Sequence, residues 1–218
     1  MRSNFWHNRW ERNEIGFHQS GINPFLIRFF PTLDLSEGDK VFAPLCGKSR
    51  DLLWLIEQGY EVVGIELSEQ AVRAFFHENE IEPKVETCGP FLCFRAEHLR
   101  LFCGDYFKLT AKVLGPVTAV YDRAALVALP PEMRRDYVRH LADLVVIETA
   151  MLVISYTYDQ SLMDGPPFAV PQQEMVALFS GLFEVELLVR EATGEIPPRF
   201  RASGLTEVSE EVYRLVRL

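Results

Sequence analysis

The sequence predicts an α/β fold: a mostly parallel, doubly wound sheet with an antiparallel edge and a helical cover contributed by the N-terminus. Three observations point there. From residue 39 onward, short apolar runs alternate with stretches of helical period. Several of these runs end in a turn or cap residue and give way to a helix. The chain has 218 residues, 48% of them hydrophobic, so one core of ordinary size can be filled, without repeats or low-complexity tracts. One domain over 1–218 is expected, with a lid segment at 1–38 and a sheet-bearing core at 39–218.

The elements follow in order. KVFAPL (40–45) is a buried strand; Ser49 then caps a helix bearing Leu52, Leu53, Leu55 and Ile56, which stops at Gly59. EVVGIEL (61–67) is the second strand. Ser68 starts a helix with Val72, Phe75 and Phe76 inward, ended by Pro83. ETCGPFLCFRAE (86–97) inserts an extra hairpin or loop. LRLFCGD (99–105) and VTAVYD (117–122) are further strands, and the helix from Pro131 lines up Met133, Tyr137, Leu141 and Leu144. AMLVISYTY (150–158) is a long strand and QQEMVALF (172–179) a helix. FEVELLV (183–189) and VYRLVRL (212–218) have no obvious helix between them, so an antiparallel edge is expected there. Residues 1–38 stand outside the alternation and should form helices draped over one end of the sheet.

Composition excludes several functions. A net charge of −9 is wrong for a protein that grips nucleic acid through phosphates. Arg134, Arg135 and Arg139 cluster, but on a helix they read as a solvated face. The start MRSNFWHNRWERNE lacks the apolar core of a secretory signal, and Arg28 and Glu148 interrupt the longest apolar stretches, so a soluble, cytoplasmic, monomeric chain without membrane contact is expected. Cys46, Cys88, Cys93 and Cys103 form no C-x-x-C pair, which reads as free thiols and no metal.

Ligands of such sheets bind beyond the carboxyl ends of the strands. After the first strand, Pro44-Leu45-Cys46-Gly47-Lys48 ends like a phosphate loop, yet Phe42 stands where that loop needs its first glycine. One glycine gives close backbone approach without room for a pyrophosphate. Glu66 closes the second strand at the distance from Gly47 where an acid binds ribose hydroxyls; it could equally cap the helix behind it. Gly104-Asp105-Tyr106 offers a carboxylate and a ring suited to adenine, or an ordinary Gly-Asp turn. Tyr121-Asp122-Arg123 ends the fourth strand with a pair that could hold a substrate or merely form a salt bridge. Asp122 as a base, His18 as a catalytic group and Cys46 as a nucleophile are weaker candidates. Asp164-Gly165-Pro166-Pro167-Phe168 imitates the D-P-P-Y loop of nucleic-acid amino-methyltransferases. The extra glycine and its place after the fifth strand make it a loop near the site mouth instead.

Trp6, Trp10 and Phe17-His18-Gln19, followed in order by FAPLCGKS, VVGIELSE, YDRAALVAL and GPPFAVP, resemble the thiopurine S-methyltransferase family in its shorter bacterial form. The match spans nearly the whole chain and is loosest after residue 190. The resemblance implies a Rossmann-like fold that takes S-adenosylmethionine as cofactor. It implies methyl transfer to the sulfur of aromatic and heterocyclic thiols, with selenium and tellurium compounds as further acceptors. By motif it puts Trp6, Trp10, Leu45, Gly47, Glu66, Asp105, Tyr106 and Arg123 at the cofactor. Phe17, Arg123 and Arg199 (or Arg201) fall on the acceptor side, with Arg123 also the catalytic candidate. The N-terminal segment would close over the cofactor and become ordered by it. Rival readings are a small-molecule O- or N-methyltransferase, and a non-catalytic module that senses S-adenosylmethionine.

Overall fold

Nine strands hydrogen-bond into one sheet in the computed structural model, which describes residues 3–16 and 18–218. They are β1 (Lys40–Ala43), β2 (Glu61–Glu66), β3 (Lys84–Cys88), β4 (Phe91–Ala96), β5 (Leu99–Cys103), β6 (Ala119–Arg123), β7 (Ala150–Thr157), β8 (Phe183–Ala192) and β9 (Ser209–Arg217). The helices are α1 (Ser3–Glu11), α2 (Pro24–Phe29), α3 (Asp51–Glu57), α4 (Glu69–Glu78), α5 (Ala111–Leu114), α6 (Pro131–Leu144), α7 (Gln172–Phe179) and α8 (Pro198–Ala202).

Across the sheet the order is β3-β4-β5-β2-β1-β6-β7-β9-β8. The five central strands are parallel, which matches their continuous apolar runs: Val41, Phe42 and Ala43 in β1 and Val62, Val63 and Ile65 in β2 are all buried. The antiparallel edge expected from the late strands is present, β9 lying between β7 and β8. A second antiparallel edge stands opposite it, where ETCGPFLCFRAE forms the β3–β4 hairpin and pairs with β5. The sheet is therefore mixed at both margins, and parallel only in the middle.

Two apolar layers sandwich the sheet. One holds Tyr137, Val138 and Leu141 of α6 with Met175 and Phe179 of α7. The other holds Leu52 and Leu55 of α3, Val72, Phe75 and Phe76 of α4, and also Phe25, Leu26, Phe30 and Leu33. That last set corrects the expected N-terminal cover. The segment around α2 seals a face of the sheet, while α1 and His18 reach the carboxyl end.

Local chemistry explains the boundaries. Ser68 caps α4, its Oγ accepting from the Ala71 N–H at 3.3 Å. The N-cap position of α3 is Arg50, one residue after the expected Ser49, whose Oγ nonetheless accepts from the Asp51 N–H at 3.3 Å. The helix starts two residues after Ser49, because Asp51 is drawn inward to accept from the Asn23 N–H (2.8 Å) and the Tyr121 hydroxyl (2.9 Å). Arg134 is likewise inside. Its spacing from Tyr137, Val138 and Leu141 sets it on the buried stripe of α6, while Arg135 and Arg139 remain exposed. There its Nε donates to the Leu129 carbonyl (2.9 Å), Nη1 pairs with Glu174 (2.6 Å), and the guanidinium lies over Phe168. Among the described residues no helix is long and apolar enough to cross a membrane.

Candidate functional site

The carboxyl ends of β1, β2, β5 and β6 open into a cavity of about 610 Å³, within the usual range for small-molecule sites. It lies where strand order reverses, β2 continuing to one side of β1 and β6 to the other. Trp6 and Trp10 of α1 roof it, and Pro166 and Pro167 form part of its mouth.

The turn after β1 is tight. Leu45 (φ 47°) and Gly47 (φ 55°) are both left-handed, and the Cys46 N–H is held by the Ile65 carbonyl at 3.0 Å. A Cβ at Gly47 would reach van der Waals contact with the Trp10 ring at 3.4 Å, so it is the left-handed φ that favours glycine there. The N–H of Gly47 donates to Glu66 Oε2 at 2.9 Å, and that of Ser68 to Oε1 at 2.8 Å. Glu66 thus does brace the helix start, yet each oxygen keeps lone-pair capacity for a ligand hydroxyl. Burial, at 6% exposure, pushes its carboxyl above the usual range, opposed by the backbone N–H groups it accepts from.

Asp105 and Tyr106 also line the cavity. Asp105 Oδ1 accepts from the Phe107 N–H at 3.0 Å, so the Gly-Asp turn is real as well. The Tyr106 ring is clamped between Tyr137 and His140, with its hydroxyl donating to the Tyr137 carbonyl at 3.3 Å; it is a wall, not a free hydroxyl. Arg123 closes β6, Ala124 behind it adopting φ 70°. Among the described residues Arg123 makes no ion pair. Its positive field is felt by His18, whose imidazole is held below its ordinary value by burial first and by Lys48 next.

Of the weaker candidates, His18 lines the cavity, and Asp122 and Cys46 are accounted for otherwise. Asp122 is fully buried: Oδ1 accepts from the Ala125 and Leu126 N–H groups and Oδ2 from the Tyr137 hydroxyl at 2.6 Å. Desolvation pushes it up to about 6 despite those bonds, and it serves as a turn anchor. Cys46 is buried and its thiol is driven well above the ordinary range by desolvation, the opposite of an activated nucleophile. Arg199 is exposed and lies outside the cavity lining. It donates to the Gly165 carbonyl at 3.4 Å beside the two mouth prolines, and Arg201 pairs with Glu195. Phe17 lies outside the described residues.

Sequence reasoning missed Val127, Leu129 and Met133, which line the cavity opposite Glu66's side of the sheet order. Met133, expected on the core stripe of α6, reaches the cavity as well. The apolar run after Arg123 was the available signal.

A buried acid at a one-glycine turn, an aromatic roof and a stack of apolar wall residues suit an adenosine with a cationic sulfur better than a pyrophosphate. Comparison with known proteins agrees. The model of the family described as thiopurine S-methyltransferase (TPMT) matches residues 1–218. A thiopurine S-methyltransferase of Pseudomonas fluorescens (strain Pf0-1) is 45% identical over 215 residues, 99% of each chain. One from Azotobacter vinelandii is 45% identical over 217 residues, 100% of each. Among solved structures, the 1,6-didemethyltoxoflavin-N1-methyltransferase of Burkholderia thailandensis, bound to S-adenosylhomocysteine, superposes with TM-score 0.64. It is 14% identical and covers 98% of this chain and 87% of that one, a likeness of fold.

Proposed function

We propose, from the premise that this chain belongs to the thiopurine S-methyltransferase family and is an S-adenosylmethionine-dependent methyltransferase, that its acceptor is the sulfur of an aromatic or heterocyclic thiol. Thiopurines are the type acceptor, and softer selenium and tellurium nucleophiles fall within the same chemistry. The observation that carries this reading is Arg123, a cation on the cavity wall that closes no ion pair among the described residues, although its field reaches the Glu210 carboxylate.

S-adenosylmethionine supplies, when bound, a methyl group on a sulfonium leaving group. The chain's own residues do the rest. Glu66 takes the ribose hydroxyls with the lone pairs its two N–H contacts leave free. Gly47 and Leu45 bring the backbone close; Asp105 and the Tyr106 ring border the adenine, with Val127 and Leu129 as apolar wall. Trp6 and Trp10 cover the cation and keep water from it, each aromatic face contributing about 0.5–2 kcal/mol. In-line displacement asks chiefly for alignment, and positioning can supply roughly 7–11 kcal/mol of the barrier. A heterocyclic thiol is acidic enough to arrive as its anion, so no base is needed. Arg123, with the planar donor fork of a guanidinium, holds that anion and orients it. The family resemblance gives Phe17 and Arg199 roles toward the acceptor, Arg199 from outside the cavity lining.

The test is a labelled-methyl assay on a panel of thiols, selenols and matched alcohols and amines. Arg123→Ala should lower kcat/KM for an anionic thiol by roughly 10–150-fold, the loss of a hydrogen bond to a charged group, with Arg123→Lys in between. The loss in affinity for S-adenosylhomocysteine should be smaller. Unchanged turnover in Arg123→Ala removes that role, and methyl transfer to oxygen or nitrogen alone removes the acceptor class. Cofactor binding without transfer to any acceptor identifies a sensor.

A further inference from the structure

We propose that the β3–β4 hairpin carries a zinc site made by Glu86, Cys88 and Cys93, separate from the methyl-transfer cavity. The carboxylate oxygen and the two sulfurs all lie within 4.8 Å of one another, and Cys88 Sγ is 3.8 Å from Glu86 Oε1. The sheet register causes this. Glu86 is opposite Cys93, and Cys88 is two residues along the same face of β3.

That register also selects a metal over a disulfide. Cysteines on a diagonal of an antiparallel pair have backbones roughly 7–8 Å apart, at or beyond disulfide reach. A tetrahedral zinc, with bonds of about 2.3 Å to sulfur and about 2.1 Å to oxygen, spans sulfur and oxygen atoms roughly 3.3–3.8 Å apart. The three ligand atoms need only close by about an ångström, which rotamer changes at half-buried Glu86 and Cys88 supply. Cys93 is fully buried and fixed, giving the site one rigid ligand.

Charge is balanced locally. Two thiolates and a carboxylate exceed the charge of one divalent ion, and two guanidiniums stand beside them. Arg95 pairs with Glu86, and Arg100 lies opposite Arg95 in the next strand. Arg100 Nε is buried without a hydrogen-bond partner, a donor available to a negatively charged cluster. Binding releases the two thiol protons to solvent and leaves a fourth position for water on the half-buried face of β3 that carries Glu86 and Cys88. The pattern was invisible in the sequence because Cys88 and Cys93 are separated by a turn and lack C-x-x-C spacing; the hairpin creates the cluster.

Cadmium titrated into the reduced full-length chain tests this. The expected result is an ultraviolet thiolate-to-cadmium charge-transfer band that saturates at one equivalent and is displaced by zinc. Cys88→Ser should abolish it, and Glu86→Gln should weaken binding about 10-fold or more, circular dichroism verifying that both variants fold. Cys93→Ser removes a core residue, so Cys88→Ser is the deciding variant. Absence of a one-equivalent band overturns the proposal. So does a band that survives Cys88→Ser, or one that is lost in Cys103→Ser instead. The readout does not involve methyl transfer, so its failure leaves the reading of the cavity intact.

Discussion

At the scale of single residues, Glu66 holds the cofactor end of the site together. Its carboxylate accepts two backbone N–H bonds, one from the binding turn and one from the start of α4. A glutamine there can accept only one of them through its carbonyl, leaving a buried N–H facing an amide donor. That costs about 1–3 kcal/mol. Glu66→Gln should therefore lower the urea midpoint and weaken S-adenosylhomocysteine at least tenfold by calorimetry. An unchanged affinity would detach Glu66 from the ribose. The sequence made this residue legible because strand end, glycine turn and acid fall at the spacing adenosine sites require. It could not choose between cap and ligand, and the geometry explains why: the carboxylate braces the cap with some lone pairs and leaves others for a ligand. Asp122 was less legible. An Asp-Arg pair reads as one unit in a sequence, but on a strand successive side chains face opposite ways. Here Asp122 is sunk in the core and its neighbour lines the cavity.

At the scale of elements, α1 is a short helix laid over the open end of the cavity. It leans on α4 through Gln70 Nε2 to the Trp10 carbonyl at 3.2 Å, and Trp10 is the one strongly buried side chain among its described residues. A short helix held mainly by what lies beneath it gains stability when the cavity fills. Amide exchange across 3–11 should slow tenfold or more on adding S-adenosylhomocysteine, with α6 unaffected; equal protection in both states contradicts a closing lid. Element types were legible wherever periodicity was long, as in α6 and α7. The edges were less so. The β3–β4 hairpin and the inward path of Arg134 both depend on partners distant in sequence, β5 for the one and Glu174 for the other. Windowed patterns do not contain such partners.

At the scale of the whole molecule, the buried Asp122 gives stability a pH dependence of unusual sign. Its folded value of about 6 lies above its ordinary one of 3.8. Between those limits the folded chain keeps a proton that the unfolded chain has released, so this contribution to stability falls as pH rises through the window. Its ceiling is about 3 kcal/mol at 1.36 kcal/mol per unit. Asp122→Asn should erase that slope in urea titrations from pH 4 to 7, with the variant gaining on the parent chain as pH rises; parallel curves would refute the assignment. The order of the sheet has a different consequence. One of its two outermost strands, β8, exposes Glu184 and Glu186, bears Arg190, and slips register between Leu187 and Val189. Charges and a bulge along an open margin spoil it as a template for another chain's backbone. The rim that completes the molecule thereby also fences it off, so crowded solutions of this protein should resist fibrous stacking through that flank.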